Sequence, residues 1–181
     1  MLEKIKSRIT ALPPVRRYTA LALVLAITLT VAFIVSNSMK TPVASTADSD
    51  AVKDFISSII PPESDLGQLI LNNIRKIAHF TEYGLIGIEL ACLLAVVAAK
   101  RKTRYISAAK GLIFALIIAF IDETIQIFSS RGPSISDVWI DIGGFFTYSL
   151  LTHLAVEAAL IIKYAYIKQK QKRNLKNGKN N

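Results

Sequence analysis

The order of hydrophobic and polar residues divides the chain into four long apolar segments joined by polar ones. The apolar segments are residues 18–36, 77–99, 106–128 and 138–162. A helix needs about 20 mostly apolar residues to cross a hydrocarbon core of about 30 Å, and a single segment can satisfy its backbone hydrogen bonds there only as a helix. The pattern therefore predicts an all-α fold: a polytopic membrane protein built as a bundle of four transmembrane helices.

The polar segment between the first two spans has a pattern of its own. Residues 40–49 are rich in Thr, Ala and Ser, and we predict that they are extended. Apolar residues then recur at helical spacing, at Val52, Phe55, Ile56, Ile59 and Ile60, until Pro61 and Pro62 end the pattern. A second helical pattern begins after Ser64 and can run unbroken into the second span. We predict short amphipathic helices here, on the membrane surface or across the tops of the spans.

The charged residues predict how the spans are oriented. The 181 residues are 52% hydrophobic and carry a net charge of +9, but the basic residues form short blocks beside the apolar segments, without a nucleic-acid-binding motif. We therefore expect membrane lipids and no nucleic acid as partners. Basic blocks lie at 1–17, 100–110 and 163–181, whereas residues 37–74 hold five acids and two lysines. The positive-inside rule then places both termini in the cytoplasm and the loops at 37–75 and 129–137 outside.

These features divide the chain into five regions. They are a basic cytoplasmic N-terminus (1–17), the first span (18–36), an extracytoplasmic loop (37–75), a core with three spans (76–164) and a basic cytoplasmic tail (165–181). We expect residues from 168 onward to be disordered or held to anionic lipid. The uncharged core of the first span, about 18 residues, is longer than the hydrophobic region of a signal peptide, which favours a retained helix.

Ionisable residues inside the predicted spans indicate where function lies. At the centre of a spanning helix each costs about 2.5–3.5 kcal/mol, so each needs a partner, a water-filled cavity or a function. In the second span Arg75, His79 and Glu82 fall on one side at 100° per residue, with Tyr83 and Lys76 at its edge. The third span ends with polar residues, and the fourth begins with them.

With a rise of about 1.5 Å per residue, three helices bring these side chains to one layer near the outer boundary. The candidate ligand-binding residues are Arg75, Lys76, His79, Glu82, Tyr83, Asp122, Glu123, Gln126, Arg131, Asp137 and Asp141. A packing interpretation is also open, because buried carboxylates, Gln and Arg can hold helices together without any ligand.

Two segments of this layer, RKIAHFTEYGLIG (75–87) and DETIQIFSSRGPSISDVWIDIGG (122–144), resemble the VanZ-like family of bacterial membrane proteins. The resemblance covers roughly residues 70–150. It implies that residues 76–164 form a VanZ-like core in the bacterial cytoplasmic membrane. The name-giving member of the family raises resistance to teicoplanin, a lipoglycopeptide antibiotic that acts on cell-wall precursors, so the resemblance also implies a role in the cell envelope.

Two functions are compatible with these residues. The one we favour is a binding protein whose polar pocket takes an amphiphile, either a lipid-linked cell-wall precursor or a lipoglycopeptide. The alternative is a membrane enzyme that uses a metal or acid–base chemistry on a lipid-linked envelope substrate. We expect no cofactor for the first function, while carboxylates with one His suit a divalent cation such as Mg²⁺ or Mn²⁺ for the second. The pattern specifies no oligomeric state.

Overall fold

The computed structural model describes residues 12–98 and 101–177, without the side chains of residues 101–107 and 172–177. In this part of the chain all regular structure is helical. The helices are α1 (Pro14–Ser38), α2 (Pro42–Ser57), α3 (Asp65–Asn72), α4 (Ile74–Val97), α5 (Arg101–Phe128) and α6 (Ile135–Asn177). Segments of α1, α4, α5 and α6 are long and apolar enough to cross a membrane. The predicted all-α fold with four membrane-spanning helices is confirmed.

Helices α4 and α6 form the closest pair in the bundle, because glycines remove side chains where the two backbones cross. A Cβ on Gly87 would lie 2.5 Å from the carbonyl oxygen of Phe145, and one on Gly144 would collide with the carbonyl oxygen of Phe80. Small residues at such crossings let helices in a membrane gain dispersion contacts along their backbones. This contact fixes the register of α4 against α6.

Helix α1 packs along α4 and α5, and side-chain hydrogen bonds connect it to α4. The Thr30 hydroxyl donates to Glu89 Oε1 at 2.9 Å, and the Arg16 guanidinium donates to the carbonyl oxygen of Val96 at 2.5 Å. Buried side chains of α1, α4, α5 and α6 form the core: Ile34, Tyr83, Ile86, Ala115, Ile118, Ala119, Val138 and Phe145. The outward faces are apolar and exposed, as a surface in contact with lipid requires.

Helix α2 begins about ten residues before the predicted amphipathic segment, so the expectation of an extended 40–49 is wrong. Thr41 caps the helix, its side-chain oxygen accepting from the backbone N–H of Ala44 at 3.4 Å, and Pro42 occupies the first turn. Proline at this position is already restricted to a helical φ, so the cap and the proline together start a helix that composition alone did not indicate. Lys40 pairs with Asp48 at 2.6 Å and ties α2 to the end of α1.

The predicted second amphipathic helix is α3, but it does not continue into the second span. Asn73, at φ −118° and ψ 17°, separates α3 from α4. Its side chain donates to the carbonyl oxygen of Leu69 at 2.8 Å, and its backbone N–H donates to Ile70 at 3.0 Å. Asparagine bonds readily to nearby backbone in this way, and so it competes with the helix.

Helix α6 has 43 residues and is about 64 Å long, roughly twice the thickness of the hydrocarbon core. The expectation of a disordered chain from residue 168 is therefore wrong for residues 168–177, which are helical, while their contact with anionic lipid stays a prediction. Lys, Gln and Arg are good helix formers, and no Gly or Pro interrupts the segment before Gly178. Residues 178–181 lie outside the described part.

The two ends of the bundle differ in chemistry. At one end, called the polar end below, α1 and α5 end and α4 and α6 begin. Ser129 at the end of α5 donates to the carbonyl oxygen of Ser38 at 2.8 Å, and Asn37 donates to Glu82 Oε1 at 3.2 Å. The other end holds the start of α1, with Arg16 and Arg17, and the end of α4.

Candidate ligand-binding site

Three helices bring a histidine and two aspartates together at the polar end. His79 on α4 has its Nδ1 3.1 Å from Asp141 Oδ1 on α6 and 3.9 Å from Asp122 Oδ2 on α5. All three side chains are buried. Because the α4–α6 crossing fixes the register of those two helices, it also fixes the distance between His79 and Asp141. The convergence that spacing predicted is present for these three residues.

Gln126 connects the carboxylates of α5 to an arginine. Its Nε2 donates to Asp122 Oδ2 at 3.3 Å and to Glu123 Oε1 at 3.2 Å, one turn back on the same helix. Its Oε1 accepts from Arg75 at 2.6 Å. Because the guanidinium can only donate, it fixes the amide so that the NH₂ group faces the two carboxylates. Both polar groups of this fully buried amide therefore have hydrogen-bond partners.

The structure adds three residues that sequence reasoning missed. The Ser38 hydroxyl donates to Asp122, Asn37 donates to Glu82, and the backbone N–H of Ser134 donates to Glu123 Oε2 at 2.6 Å. Ser38 and Asn37 belong to the polar run at 36–38, which ends an otherwise apolar helix at the level of the site. That polar run was a signal that could have identified α1 as a fourth wall.

Arg131 reaches the site because of an unusual turn after α5. Ser130 has a left-handed φ of 57°. The N–H groups of Ser130 and Arg131 then donate to Ile127 and Gln126 at 3.2 and 2.9 Å, which is a Schellman cap with serine where glycine is usual. Arg131 turns back over the helix end and donates to the carbonyl oxygen of Asn37 at 3.0 Å.

Two arginines, Arg75 and Arg131, lie at this end of the bundle. Burial lowers the pKa of the Arg131 guanidinium, and the positive charge of Arg75 lowers it further. The Arg131 side chain stays charged, because an arginine in a protein does not lose its proton. An anion beside two arginines can accept hydrogen bonds from both.

A cavity of about 500 Å³ opens beside these residues, between α1, α2, α4 and α5. Six of the predicted ligand-binding residues line it: Arg75, His79, Glu82, Asp122, Gln126 and Arg131. The lining also includes the apolar residues Phe33, Val52, Ile56 and Ile77, and polar residues of α2 such as Asp48. The amphipathic helix α2 therefore forms one wall of the cavity.

The other predicted residues lie outside this cavity. Lys76 and Asp137 line a smaller one of about 350 Å³, in which Asp137 pairs with Arg75 at 3.5 Å. Glu123 and Asp141 are buried and contact Gln126 and His79, which line the larger cavity. Tyr83 is fully buried in the core, and within the described part its hydroxyl has no hydrogen-bond partner. Four buried side chains, His79, Asp122, Glu123 and Asp141, lie close enough to share a metal ion.

Four candidate spans and a buried polar cluster at one end of the bundle define the class: a small membrane protein with a polar site between its helices. A family model described as VanZ/LLP1 matches residues 20–156, about three quarters of the chain. The protein belongs to this family, as the resemblance predicted. The match includes most of α1, which contributes to the cavity. No match to a curated protein or a solved structure was found.

Proposed function

We propose that this protein binds the head group of an amphiphilic envelope ligand in the 500 Å³ cavity, at the outer face of the bacterial cytoplasmic membrane. Such binding would contribute to resistance against teicoplanin. The ligand is either a lipid-linked cell-wall precursor or the lipoglycopeptide itself. The two share their chemistry, an apolar chain attached to a polar head group that carries an anion.

The observation that carries the proposal is that charged and exposed apolar side chains line the same cavity. Phe33, Val52 and Ile77 keep between 39% and 56% of their surface exposed, so the apolar part of the lining continues to the outer surface of the bundle. An acyl or isoprenoid chain could follow these residues into the bilayer while its head group meets the charged residues.

The charges suggest how the head group is recognised. Arg75 and Arg131 are fork-shaped donors that suit a phosphate or carboxylate. Glu82 is half-buried and accepts a bond from Asn37, so it has acceptor capacity left for an amine or a sugar hydroxyl. Family membership supports an envelope role. The basic residues at the opposite end of the bundle support an outward-facing cavity under the positive-inside rule.

Near-isosteric substitutions test the proposal in a teicoplanin-susceptible host. We expect Glu82→Gln to abolish protection while the amount of protein and its melting temperature stay close to wild type. Glu89→Gln is the matched control: the same change on the same helix, at a side chain bound to Thr30 and outside the cavity. A Glu82→Gln protein that is well expressed and fully protective would refute the proposal.

Binding measurements distinguish the two ligands. Purified protein in lipid nanodiscs would be titrated with teicoplanin, with the same glycopeptide core lacking its acyl chain, and with an isoprenoid diphosphate. Saturable binding of teicoplanin alone identifies the antibiotic as ligand, and binding of the isoprenoid diphosphate alone identifies the precursor. Binding of neither, with loaded and folded protein, contradicts the proposed site.

The enzyme alternative rests on a different observation, the contact of His79 with the buried Asp141 at 3.1 Å. A carboxylate that holds a histidine in one orientation is a common arrangement in acid–base catalysis. Incubation of the purified protein with a lipid-linked diphosphate would reveal a product by chromatography. A product that disappears with His79→Gln would support this function, and unchanged substrate would count against it.

A further inference from the structure

The four buried side chains His79, Asp122, Glu123 and Asp141 present their ligand atoms within 4.8 Å of one another. They come from three helices, so their positions depend on the packing of the whole bundle and not on one local segment. None of the four is more than 7% exposed. Three carboxylates and one imidazole in so small a volume make up a donor set typical of a hard divalent cation.

Acidic residues often cluster without a ligand, but one buried carboxylate oxygen here lacks a partner. Asp141 is completely buried, and within the described part its Oδ2 has no hydrogen-bond partner, while Oδ1 contacts His79 at 3.1 Å. A buried charged acceptor without a partner costs more than the 1–3 kcal/mol of a neutral one. The Asp141 side chain is therefore incomplete as it stands, and it belongs to the same four-residue cluster.

Neither of the two arginines nearby forms an ion pair with these carboxylates. Arg75 is engaged with Gln126 and Asp137, and Arg131 with the backbone of Asn37. Among the described residues no guanidinium forms an ion pair with Asp122, Glu123 or Asp141, so His79 is their only cationic neighbour in ion-pair contact. Three carboxylates against one histidine leave an excess of negative charge in a poorly hydrated layer, which a divalent cation would neutralise.

Three surrounding residues donate hydrogen bonds to the carboxylates of α5. In metal sites, residues that do not touch the metal orient its ligands in the same way. Ser38 donates to Asp122, the backbone of Ser134 donates to Glu123, and Gln126 donates to both. Such contacts hold ligating oxygens in place and are commonly worth 10- to 100-fold in metal affinity. The carboxylates of α5 are thus oriented from three directions and remain open toward His79 and Asp141.

We propose that His79, Asp122, Glu123 and Asp141 bind one divalent cation, Mn²⁺ or Mg²⁺. Opposite ligands of an octahedral Mg²⁺ are about 4.2 Å apart, so a contraction of well under 1 Å would close the 4.8 Å cluster around the ion. His79 and Asp122 line the larger cavity, so the remaining coordination positions would face it and take water or an anion. The cation site stands independently of amphiphile binding.

Mn²⁺ is the probe for the test, because it is paramagnetic and reports the nitrogen of a bound imidazole. Full-length protein without a polyhistidine tag would be stripped of metal, titrated with Mn²⁺ and followed by electron paramagnetic resonance. We expect one site per chain and a nitrogen modulation in the pulsed spectrum. The chain has only two histidines, so His79→Gln should abolish the modulation, whereas His153→Gln, about 18 Å along α6 from Asp141, should keep it.

Affinity gives a second, independent readout. We expect Asp141→Asn to weaken Mn²⁺ binding by about 100-fold or more, since it alters a ligand and not only its surroundings. Glu89→Gln, which removes a carboxylate outside the cluster, should leave the affinity unchanged. The proposal is overturned by the absence of saturable binding up to about 1 mM, the weak end of extracellular calcium sites. It is also overturned by nitrogen modulation that survives His79→Gln, or by an Asp141→Asn protein of wild-type affinity.

Discussion

Replacing Gln126 with methionine keeps the length of the side chain and removes its three hydrogen bonds. Asp122 and Glu123 each lose a donor, and Arg75 loses an acceptor. The change is confined to polar contacts, because methionine fills nearly the same volume. Gln126→Met therefore measures how much the polar network stabilises the bundle.

The magnitude follows from what each partner keeps. A hydrogen bond to a charged group contributes about 1.5–3 kcal/mol, and the two bonds to carboxylates, at 3.2 and 3.3 Å, belong at the low end. The Arg75 side chain is 42% exposed, so water replaces most of what it loses. We therefore expect the free energy of unfolding to fall by about 3 kcal/mol, nearly all of it from the carboxylates.

Equilibrium unfolding in mixed micelles would measure this difference. Gln68→Met is the matched control, because it makes the same change on the exposed face of α3, and we expect a difference of less than about 0.5 kcal/mol. The reasoning fails if Gln126→Met is as stable as the control. That result would mean that the carboxylates gain nothing from the amide.

Three further predictions concern packing, the turn and orientation. Gly144→Ala should lower the free energy of unfolding by about 1–3 kcal/mol, because the added Cβ would meet the backbone of α4. Gly143→Ala is the control, since its Cβ would make only an ordinary contact. Equal melting temperatures of the two variants would contradict the close crossing. Ser130→Gly should raise the stability by about 0.5 kcal/mol by relieving the left-handed φ, and a loss would show that the serine side chain matters more. With Cys92 replaced by Ala, a cysteine at Asp50 should react with an impermeant reagent from outside intact cells, and labelling only after lysis would place the cavity in the cytoplasm.

Much of the fold followed from the sequence because a bilayer leaves few choices. A segment as apolar as 77–99 must be helical in lipid, and four such segments give a four-helix bundle. Helix ends outside the bilayer have no such constraint. The start of α2 depended on a cap by Thr41, the break before α4 on the side chain of Asn73, and the length of α6 on the absence of a breaker.

The site was predictable in part for the same reason. Helical spacing placed His79, Asp122 and Asp141 at one level, and the structure brings them into contact. Spacing along one helix cannot show how far a neighbouring helix is rotated, so it could not separate Tyr83, in the core, from Glu82, at the cavity. Nor could it show that α1 contributes Ser38, because a serine at the end of a span is unremarkable alone.

The single-residue break at Asn73 also determines where the chain can change in length. If α3 and α4 were one continuous helix, each residue inserted into α3 would turn the part of the helix before the insertion by about 100° relative to the side of α4 that carries His79 and Glu82. With the break in place, an insertion before Asn73 alters only α3 and leaves His79 and Glu82 in register with α5 and α6. An insertion after Arg75 would rotate that arginine away from Gln126. Variation in length is therefore tolerated before Asn73 and excluded a few residues later.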